Sequence, residues 1–316
     1  MEKYPLGKTG LKVSGLCFGA LPMGPLQAGL SVEDGGALIL QGLERGINFI
    51  DTAEGYRTYP HIRWALDRFS GDVVIASKST AATYPGMRQS VEQALNELGR
   101  STLEIFHLHS ARIHNPLTDR AEALQALLEL KNKGVIRAIG VSSHSVTAIL
   151  EAAMDPRIDI VFPLINRTGL GILDGGVLEM RAAIAKAILC QKGTYAMKAF
   201  GGGNLLTDLQ TNLEFVRREV GVPVVAVGMV RPVELEINLA LFENRPVSPE
   251  LLEEACQYRK RAQVVASLCK GCGRCSEFCH SSAIQISDGY AKIDDSRCLL
   301  CGYCSRECPQ FAIRVV

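Results

Sequence analysis

Two cysteine runs near the end of the sequence decide the fold of that part of the chain. They read Cys269-Lys-Gly-Cys272-Gly-Arg-Cys275-Ser-Glu-Phe-Cys279 and Cys298-Leu-Leu-Cys301-Gly-Tyr-Cys304-Ser-Arg-Glu-Cys308. Both have the spacing C-x2-C-x2-C-x3-C, in which three close thiolates hold one 4Fe-4S cube and the fourth reaches a second cube. The spacing therefore predicts two clusters. The first has the ligands Cys269, Cys272, Cys275 and Cys308, and the second has Cys298, Cys301, Cys304 and Cys279.

Two other uses of cysteine explain this pattern less well. Disulfides need an oxidising compartment, and structural zinc usually pairs two C-x2-C units, which leaves the third and fourth cysteine of each run without a role. This part of the chain resembles a two-cluster bacterial ferredoxin, and the repeat continues past the cysteines into Ala283-Ile284 and Ala312-Ile313. One departure is His280, at a position where the ferredoxins usually have proline.

The composition limits the classes of partner. The length of 316 residues suits one large and one small domain, and the net charge of +1 gives no reason to expect nucleic acid or an acidic membrane surface as a partner. No apolar run approaches the roughly 18 residues of a membrane span. The first residues lack the apolar core of a secretion signal, so a reducing cytoplasm is expected. The expected partners are a small-molecule substrate and a redox partner protein.

Residues 1–245 alternate between short apolar runs and longer stretches with helical spacing, such as 90–98 and 120–130. The runs are buried-looking throughout, as parallel strands covered by helices should be. The eight runs are 16–19, 48–51, 73–78, 103–109, 136–142, 158–162, 194–198 and 222–228. Eight such units favour a TIM barrel. An open doubly wound sheet is the alternative, but no G-x-G-x-x-G follows the first run.

The predicted fold class is thus α/β, a (β/α)8 TIM barrel followed by a small α+β ferredoxin-like domain. We place the barrel at residues 1–245, a linker helix at 246–263 and the two-cluster domain at 264–316. The linker helix is predicted from Pro249, because proline is favoured in the first turn of a helix.

Four polar residues follow neighbouring strands, where a TIM barrel places its reacting groups. They are Asp51, Tyr56, Lys78 and His109. A lysine in a partly dry pocket needs a counter-ion, which Asp51 supplies. A tyrosine beside that cation is expected to have a lowered pKa and to act as a general acid. An imidazole opposite can hydrogen-bond a carbonyl oxygen.

This set resembles the aldo-keto reductase family. The match is carried by Phe49-Ile-Asp51-Thr-Ala-Glu-Gly-Tyr56, Ile75-Ala-Ser-Lys78 and Glu104-Ile-Phe-His-Leu-His109, and by a hairpin-like N-terminus. The resemblance implies that Tyr56 donates a proton, that Asp51 and Lys78 tune it, and that His109 orients the carbonyl. His107 shares the facing of His109, but the motif favours His109.

The second half of the barrel departs from the family pattern at positions that contact the nicotinamide cofactor. Ser142-Ser143 stands where the family has Ser-Asn, and Met197 stands in place of a stacking aromatic. The family has a Gln on the sixth strand, and no Gln occurs from Ile158 to Arg167. Four residues before the retained Asn238, Glu234 replaces an arginine that meets the adenosine phosphate. An acidic side chain repels a 2′-phosphate, so NADPH in the usual family pose is disfavoured.

Two glycine-containing loops still predict a site for a phosphate. Lys198-Ala-Phe-Gly201-Gly202-Gly203 follows the seventh run, and Gly228-Met-Val-Arg231 follows the eighth. TIM barrels often build phosphate sites from these loops, because bare glycine amides approach an anion closely. The alternative is that the three glycines simply form a tight turn.

The two predicted domains restrict the cofactor, because clusters move one electron at a time whereas a nicotinamide moves a hydride. Flavin is the usual converter between the two. The first hypothesis is an aldo-keto-reductase-like oxidoreductase that acts on a carbonyl or related unsaturated small molecule, with NAD(P)H or a flavin in the barrel. The second is an electron-transfer protein whose barrel docks a partner. In a third, the clusters only stabilise a domain too small to bury a sufficient core.

Overall fold

The computed structural model describes residues 1–257 and 260–315. Tyr258 and Arg259 of the predicted linker helix and Val316 of the predicted C-terminal domain lie outside this range. The described part forms a parallel barrel with surrounding helices and a C-terminal unit of short strands and helices.

A hairpin precedes the barrel, formed by the antiparallel strands β1 (Lys3–Pro5) and β2 (Lys12–Ser14). Its apolar residues Leu6, Leu11 and Val13 pack into the same buried cluster as Phe49 and Ile105 from the barrel strands. The hairpin therefore closes one end of the barrel interior and leaves the end at which the strands finish for the site.

The predicted TIM barrel is confirmed. Its parallel strands are β3 (Leu16–Gly19), β4 (Phe49–Asp51), β5 (Val74–Ser79), β6 (Leu103–His109), β7 (Ile136–Ser143), β8 (Ile160–Pro163), β9 (Gly193–Thr194), β10 (Ala196–Met197) and β11 (Val225–Gly228). The sheet order runs from β10 through β11 and β3 around to β8 and β9. Because only Tyr195 separates β9 from β10, they are one interrupted strand that closes the barrel.

Helices follow the barrel strands in turn and cover the outer face of the sheet. They are α1 (Val32–Glu44), α2 (Tyr59–Leu66), α3 (Tyr84–Leu98), α4 (Pro116–Asp119), α5 (Ala121–Asn132), α6 (Val146–Met154), α7 (Val177–Leu189), α8 (Leu209–Glu214) and α9 (Pro232–Phe242). Side chains start several of them: Ser31, Thr83 and Ser145 each accept a backbone N–H at the N-cap. The apolar faces of these helices pack on the outward residues of the strands in one core.

The C-terminal unit is small and its core contains cysteine. After α10 (Pro249–Cys256), it comprises β12 (Ala262–Val264), α11 (Arg274–Glu277), β13 (Ile284–Ser287), β14 (Tyr290–Ile293), α12 (Tyr303–Arg306) and β15 (Ile313–Val315). β12 pairs antiparallel with β15, and β13 with β14. The pairing already begins at Ala262, two residues before the predicted domain start. Cys275, Cys279 and Cys304 are buried with Ile284 and Ile313.

None of the helices in the described part of the chain is long and apolar enough to cross a membrane.

Candidate active site and iron–sulfur unit

A buried ion pair lies at the mouth of the barrel. The Lys78 ammonium donates to Asp51 Oδ2 at 2.6 Å and to the Thr52 carbonyl oxygen at 2.7 Å, and both charged side chains are almost fully buried. Burial raises the pKa of Asp51 and lowers that of Lys78, and each partner opposes the shift of the other. Each side chain therefore stays charged in this dry site only because the opposite charge of its partner compensates it.

Beneath the pair, a second layer of polar groups fills the barrel interior. The Tyr195 hydroxyl donates to Asp51 Oδ1 at 3.0 Å and lies 2.8 Å from His107 Nε2. Burial holds the pKa of His107 well below its usual value, so the ring is neutral. Gly140 lies opposite His107 in the next strand, and a Cβ at Gly140 would overlap the imidazole. His107 is thus a fixed interior residue that orients Asp51 through Tyr195.

Tyr56 and His109 lie above this layer, on the side of the opening. Their rings are perpendicular, with centroids 6.0 Å apart, and the Lys78 ammonium is 5.1 Å from the Tyr56 ring centroid. Burial lowers the pKa of His109 well below its usual value, and the Lys78 charge acts in the same direction. The structure therefore brings the four predicted residues together around one space, with a neutral imidazole facing a phenol.

The predicted lowering of the Tyr56 pKa is wrong. Burial raises the pKa of Tyr56 well above its usual value, and the neighbouring Tyr303 and Asp51 raise it further. Lys78 does not offset this effect, because its ammonium is bound to Asp51 and Thr52 and faces the Tyr56 ring. Tyr56 therefore holds its proton at neutral pH.

The cysteines of the C-terminal unit lie close enough to raise one another's pKa. Burial raises the pKa of Cys275, and so do its thiol neighbours Cys269, Cys308 and Cys272. Burial likewise raises the pKa of Cys304 to about 12, and its neighbours include Cys301, Cys298 and Cys279. Each fourth cysteine is thus an electrostatic neighbour of the other run, as the predicted ligand sets require, and Cys275 is a further neighbour of Cys304. This arrangement fits two iron–sulfur clusters, and their presence stays a prediction. Among residues 1–257 and 260–315, no three side chains meet closely enough to bind a single metal ion.

The second cysteine run docks on the barrel mouth. The Asn204 side-chain amide donates to the Cys298 carbonyl oxygen at 2.7 Å, and a Cβ at Gly202 would overlap the Leu299 carbonyl oxygen. Tyr303 packs against a small cluster that contains Leu26 and Tyr56. The C-terminal unit therefore forms part of the wall of the barrel site.

A cavity of about 260 Å³ opens beside Tyr56 and Asp51. Its lining includes apolar residues, among them Phe162, Met197 and Ile237. It also includes the cationic side chains Lys198, Arg231 and Lys260. Arg231 forms an ion pair with Glu234, which also lines the cavity, at 3.0 Å. The cavity thus suits a ligand that has both a flat apolar part and an anionic part.

The predicted cofactor residues divide into two groups. Those in the cavity wall are Lys198, Gly202, Gly203, Gly228, Arg231 and Asn238. Gly201 is buried next to this wall, where it contacts Leu205. Ser142 and Ser143 end β7 and are buried, and the Ser143 hydroxyl donates to the Ser110 carbonyl oxygen at 2.9 Å. The two serines therefore support a neighbouring loop.

Sequence reasoning missed two tyrosines of the site. Tyr195 lies within the predicted run 194–198, two residues before Met197, and so shares its facing. Tyr303 lies in the other domain, between Cys301 and Cys304. A signal was present, because Tyr303 is the repeat counterpart of Arg274.

Comparisons with known proteins agree with both parts of the chain. Residues 15–170 match the aldo/keto reductase family, and residues 268–312 match the 4Fe-4S dicluster domain. The chain therefore carries an aldo/keto reductase domain followed by a 4Fe-4S dicluster domain, as the motifs predicted, and it is an oxidoreductase.

Relatives of known name match part of this chain. L-galactose dehydrogenase of Arabidopsis thaliana is 25% identical over 57% of this chain and 66% of its own length. The NADH-specific methylglyoxal reductase of Escherichia coli is 27% identical over 51% of this chain and 58% of its own length. The chain thus spans about two thirds of the first relative and less of the second.

Among solved structures, a protein of Pseudomonas aeruginosa described as an aldo-keto reductase has a TM-score of 0.66 and 27% identity to this chain. The match covers 77% of this chain and 94% of that one. The aldo-keto reductase AKR11C1 of Bacillus halodurans, at 20% identity and a TM-score of 0.65, covers 81% of this chain and 96% of its own. The second likeness shows the fold alone.

Proposed function

We propose that the protein reduces a carbonyl or related unsaturated small molecule beside Tyr56, coupled to electron transfer through two 4Fe-4S clusters by way of a flavin. One observation carries this proposal: the second cysteine run neighbours residues that line the cavity. Lys198 lines the cavity, and Cys301 and Cys298 are its electrostatic neighbours. Gly202 also lines the cavity and contacts Leu299, between the first two ligands of that run.

The cavity residues fit a phosphorylated organic cofactor. Lys198, Arg231 and Lys260 provide positive charge for a phosphate, and Phe162 and Met197 provide an apolar surface for a ring. Asn238 donates its amide to the Glu234 carbonyl at 2.7 Å, whereas its Oδ1 is buried and has no hydrogen-bond partner. A buried acceptor of this kind is stabilised by a ligand hydroxyl or N–H. A bound flavin would exchange single electrons with the clusters and supply electron pairs for reduction.

The residues around Tyr56 can supply the proton and the orientation for such a reduction. Tyr56 holds its proton because burial raises its pKa. The neutral His109 ring can donate to a substrate oxygen and thereby hold it near the phenol. Asp51 and Lys78 keep a fixed dipole below both groups. The arrangement favours an oxygen on which negative charge develops, as in carbonyl reduction.

A second candidate is an NADH-dependent carbonyl reductase with purely structural clusters. Glu234 favours it, because this carboxylate lines the cavity and repels the 2′-phosphate of NADPH. The relative named for NADH specificity points the same way. If this candidate is right, we expect Glu234→Gln to weaken discrimination against NADPH. If the cavity holds a flavin, the same change should leave the affinities for NADH and NADPH unchanged.

The proposal is tested by Tyr56→Phe with Tyr59→Phe as a matched control. Tyr59 is a buried tyrosine whose hydroxyl bonds Ser77 at 2.6 Å, away from the cavity. In protein prepared without air, Tyr56→Phe should lower turnover of a carbonyl panel by roughly 100-fold or more and leave cluster reduction by dithionite unchanged. Tyr59→Phe should retain turnover. Normal turnover in Tyr56→Phe would contradict the proposal and favour an electron-transfer protein whose barrel docks a partner.

A further inference from the structure

Large apolar side chains remain in water beside the first predicted ligand set of the iron–sulfur unit. Leu268 stands directly before the first ligand of that set and is 43% exposed, and Phe311 stands three residues after its last ligand and is 76% exposed. The ligand Cys272 is itself exposed, and its Sγ lies 3.9 Å from Oε1 of Gln310, the residue before Phe311. We refer to Leu268, Phe311 and Cys272 together as the outer patch.

The internal repeat shows that the fold does not require these apolar residues. The counterpart of Leu268 before the second run is Arg297, and the counterpart of Phe311 after the first run is Ser282. Phe311 and Ser282 both have a φ of 51°, in the left-handed region that bulky side chains rarely adopt. The turn therefore forms with a serine, and a phenylalanine in this strained position is explained by a contact outside the unit.

Cations accompany the outer patch. Lys270, inside the first run, is exposed and forms no ion pair in the part of the chain that the structure describes. Arg274 is exposed on the same run, and Arg314 is exposed on β15. The counterparts of Lys270 and Arg274 in the second run are the uncharged Leu299 and Tyr303. The positive charge is thus a feature of the first run and not of the ligand spacing.

The carboxylates of this region have cations beside them. Glu307 forms an ion pair at 3.5 Å with the arginine of the first run, and Asp288 forms one with Lys292. Glu277 lies at the end of the run that meets the barrel, where its backbone carbonyl accepts from Arg112 Nη1 at 2.8 Å. The region of the outer patch therefore keeps an excess of positive charge, which attracts an acidic surface and repels a second copy of itself.

We propose that the outer patch is the docking surface for an acidic protein that carries a one-electron cofactor, with Phe311 as the apolar anchor. Exposed aromatic side chains supply much of the affinity at such interfaces, and complementary charge speeds the encounter. At each encounter the partner is oxidised by one electron, which reduces the cluster held by the first ligand set. Two encounters supply the electron pair of one carbonyl reduction. The docking itself requires the clusters and is independent of the chemistry beside Tyr56.

The test compares Phe311→Ser, which introduces the residue that the repeat has at the counterpart position, with Leu189→Ser on α7 of the barrel, where the leucine is 79% exposed. The probe is reduced flavodoxin, an acidic one-electron carrier, mixed with the protein without substrate. Phe311→Ser should slow reduction of the clusters by flavodoxin roughly 10-fold or more and weaken the binding of oxidised flavodoxin by a similar factor. Reduction by dithionite should not change, and Leu189→Ser should match the wild type in all three measurements.

Charge is tested with Lys270→Glu, for which Lys133→Glu is the matched control at another exposed lysine. Lys270→Glu should slow reduction by flavodoxin and make the rate depend less on salt, because the steering attraction is lost. The same change should speed reoxidation of the reduced protein by cytochrome c, a basic carrier. Lys133→Glu alters the net charge equally and should change neither rate.

Unchanged EPR spectra of the reduced clusters establish that each variant is folded and loaded. Equal rates with flavodoxin for the wild type and Phe311→Ser, or an equal loss in Leu189→Ser, would overturn the proposed docking surface. A wild-type dimer that Phe311→Ser dissociates, with no change in the rate with flavodoxin, would assign the outer patch to a second copy and would also overturn it. Failure of the proposed function is seen separately, as carbonyl turnover that survives Tyr56→Phe.

Discussion

The two cysteine runs share a spacing and differ in what surrounds them. In the first run, Lys270, Cys272 and Arg274 are exposed. In the second run, Leu299 and Leu300 are buried, at 2% and 7% exposure, and Tyr303 packs against the small cluster that contains Tyr56. The backbone conformation is the same at the equivalent glycines of the two runs, since Gly273 and Gly302 have φ values of 78° and 83°. The ligand spacing thus sets the shape of each run, and the residues between the ligands set what that run touches.

This contrast assigns different roles to the two halves of the iron–sulfur unit. The half that contains Cys272 faces outward and is the side on which an external redox partner can approach. The half that contains Cys301 lies next to Lys198 and the cavity. We therefore expect electrons to enter at the first set of cysteines and to leave at the second.

The largest effect is expected from removing iron, which separates the C-terminal unit from the barrel. The core of that unit includes Cys275, Cys279 and Cys304, so without clusters it loses much of its buried contact. The barrel has its own large apolar core and should stay folded. Chelation under mild oxidation should make residues beyond about 260 sensitive to protease, while far-UV circular dichroism retains most of its helical signal. A protease-resistant C-terminal unit without iron would contradict this expectation.

Next in size is the effect of a methyl group at the two equivalent glycines. Gly302→Ala should push the second run away from Leu26 and slow substrate-dependent reoxidation of the clusters by roughly 10-fold or more, because misplacement at an active site is costly. Gly273→Ala carries the same backbone strain, about 1 kcal/mol, but nothing of the barrel lies near it. Stopped-flow absorbance of the two variants checks this. Equal losses of reoxidation rate in the two variants would mean that backbone strain alone is responsible and that the contact of the second run with Leu26 is unimportant.

A smaller effect is expected from charge. Lys198 is a half-buried cation next to Cys301 and Cys298, so it stabilises the more negative, reduced state of the second cluster. Lys198→Gln should lower the midpoint potential of one cluster by tens of millivolts, on the order of a Coulomb interaction at effective dielectric 20. Lys270→Gln, at an exposed position in the first run, should shift potentials less because of solvent screening. Potentiometric EPR titration measures the shift of the midpoint potentials in each variant. Equal shifts in the two variants would contradict the proposed difference between the two halves of the iron–sulfur unit.

The smallest effect concerns pH. Because burial raises the pKa of Tyr56 well above 10.0, the phenol keeps its proton as the pH rises through the usual range of tyrosine. The alkaline limb of kcat/KM that reports Tyr56 should therefore lie above pH 10, and Tyr303→Phe should move it to lower pH, because Tyr303 raises the pKa of Tyr56. A limb near neutral pH that disappears in Tyr56→Phe would show that Lys78 does lower this pKa after all.

The sequence predicted the fold because each of its signals is local. The run from Leu103 to His109 matches β6 from end to end, since a buried parallel strand reads as continuous apolar residues. The proposed catalytic set was also predictable, because strand ends meet at one face of a barrel. The Tyr56 pKa could not be predicted, because it depends on the C-terminal unit that covers the phenol. The contact of Tyr303 could not be predicted either, because docking between domains has no period in the sequence.

The most direct test of the link between the second cysteine run and the cavity is a reductive titration of protein purified without air, after release and identification of its organic cofactor. The account predicts a flavin near one per chain and an uptake of electrons beyond what the iron–sulfur unit alone can hold. Flavin absorbance should fall together with that of the clusters. Protein without flavin, whose cavity binds NADH or NADPH while the clusters titrate independently, would contradict it.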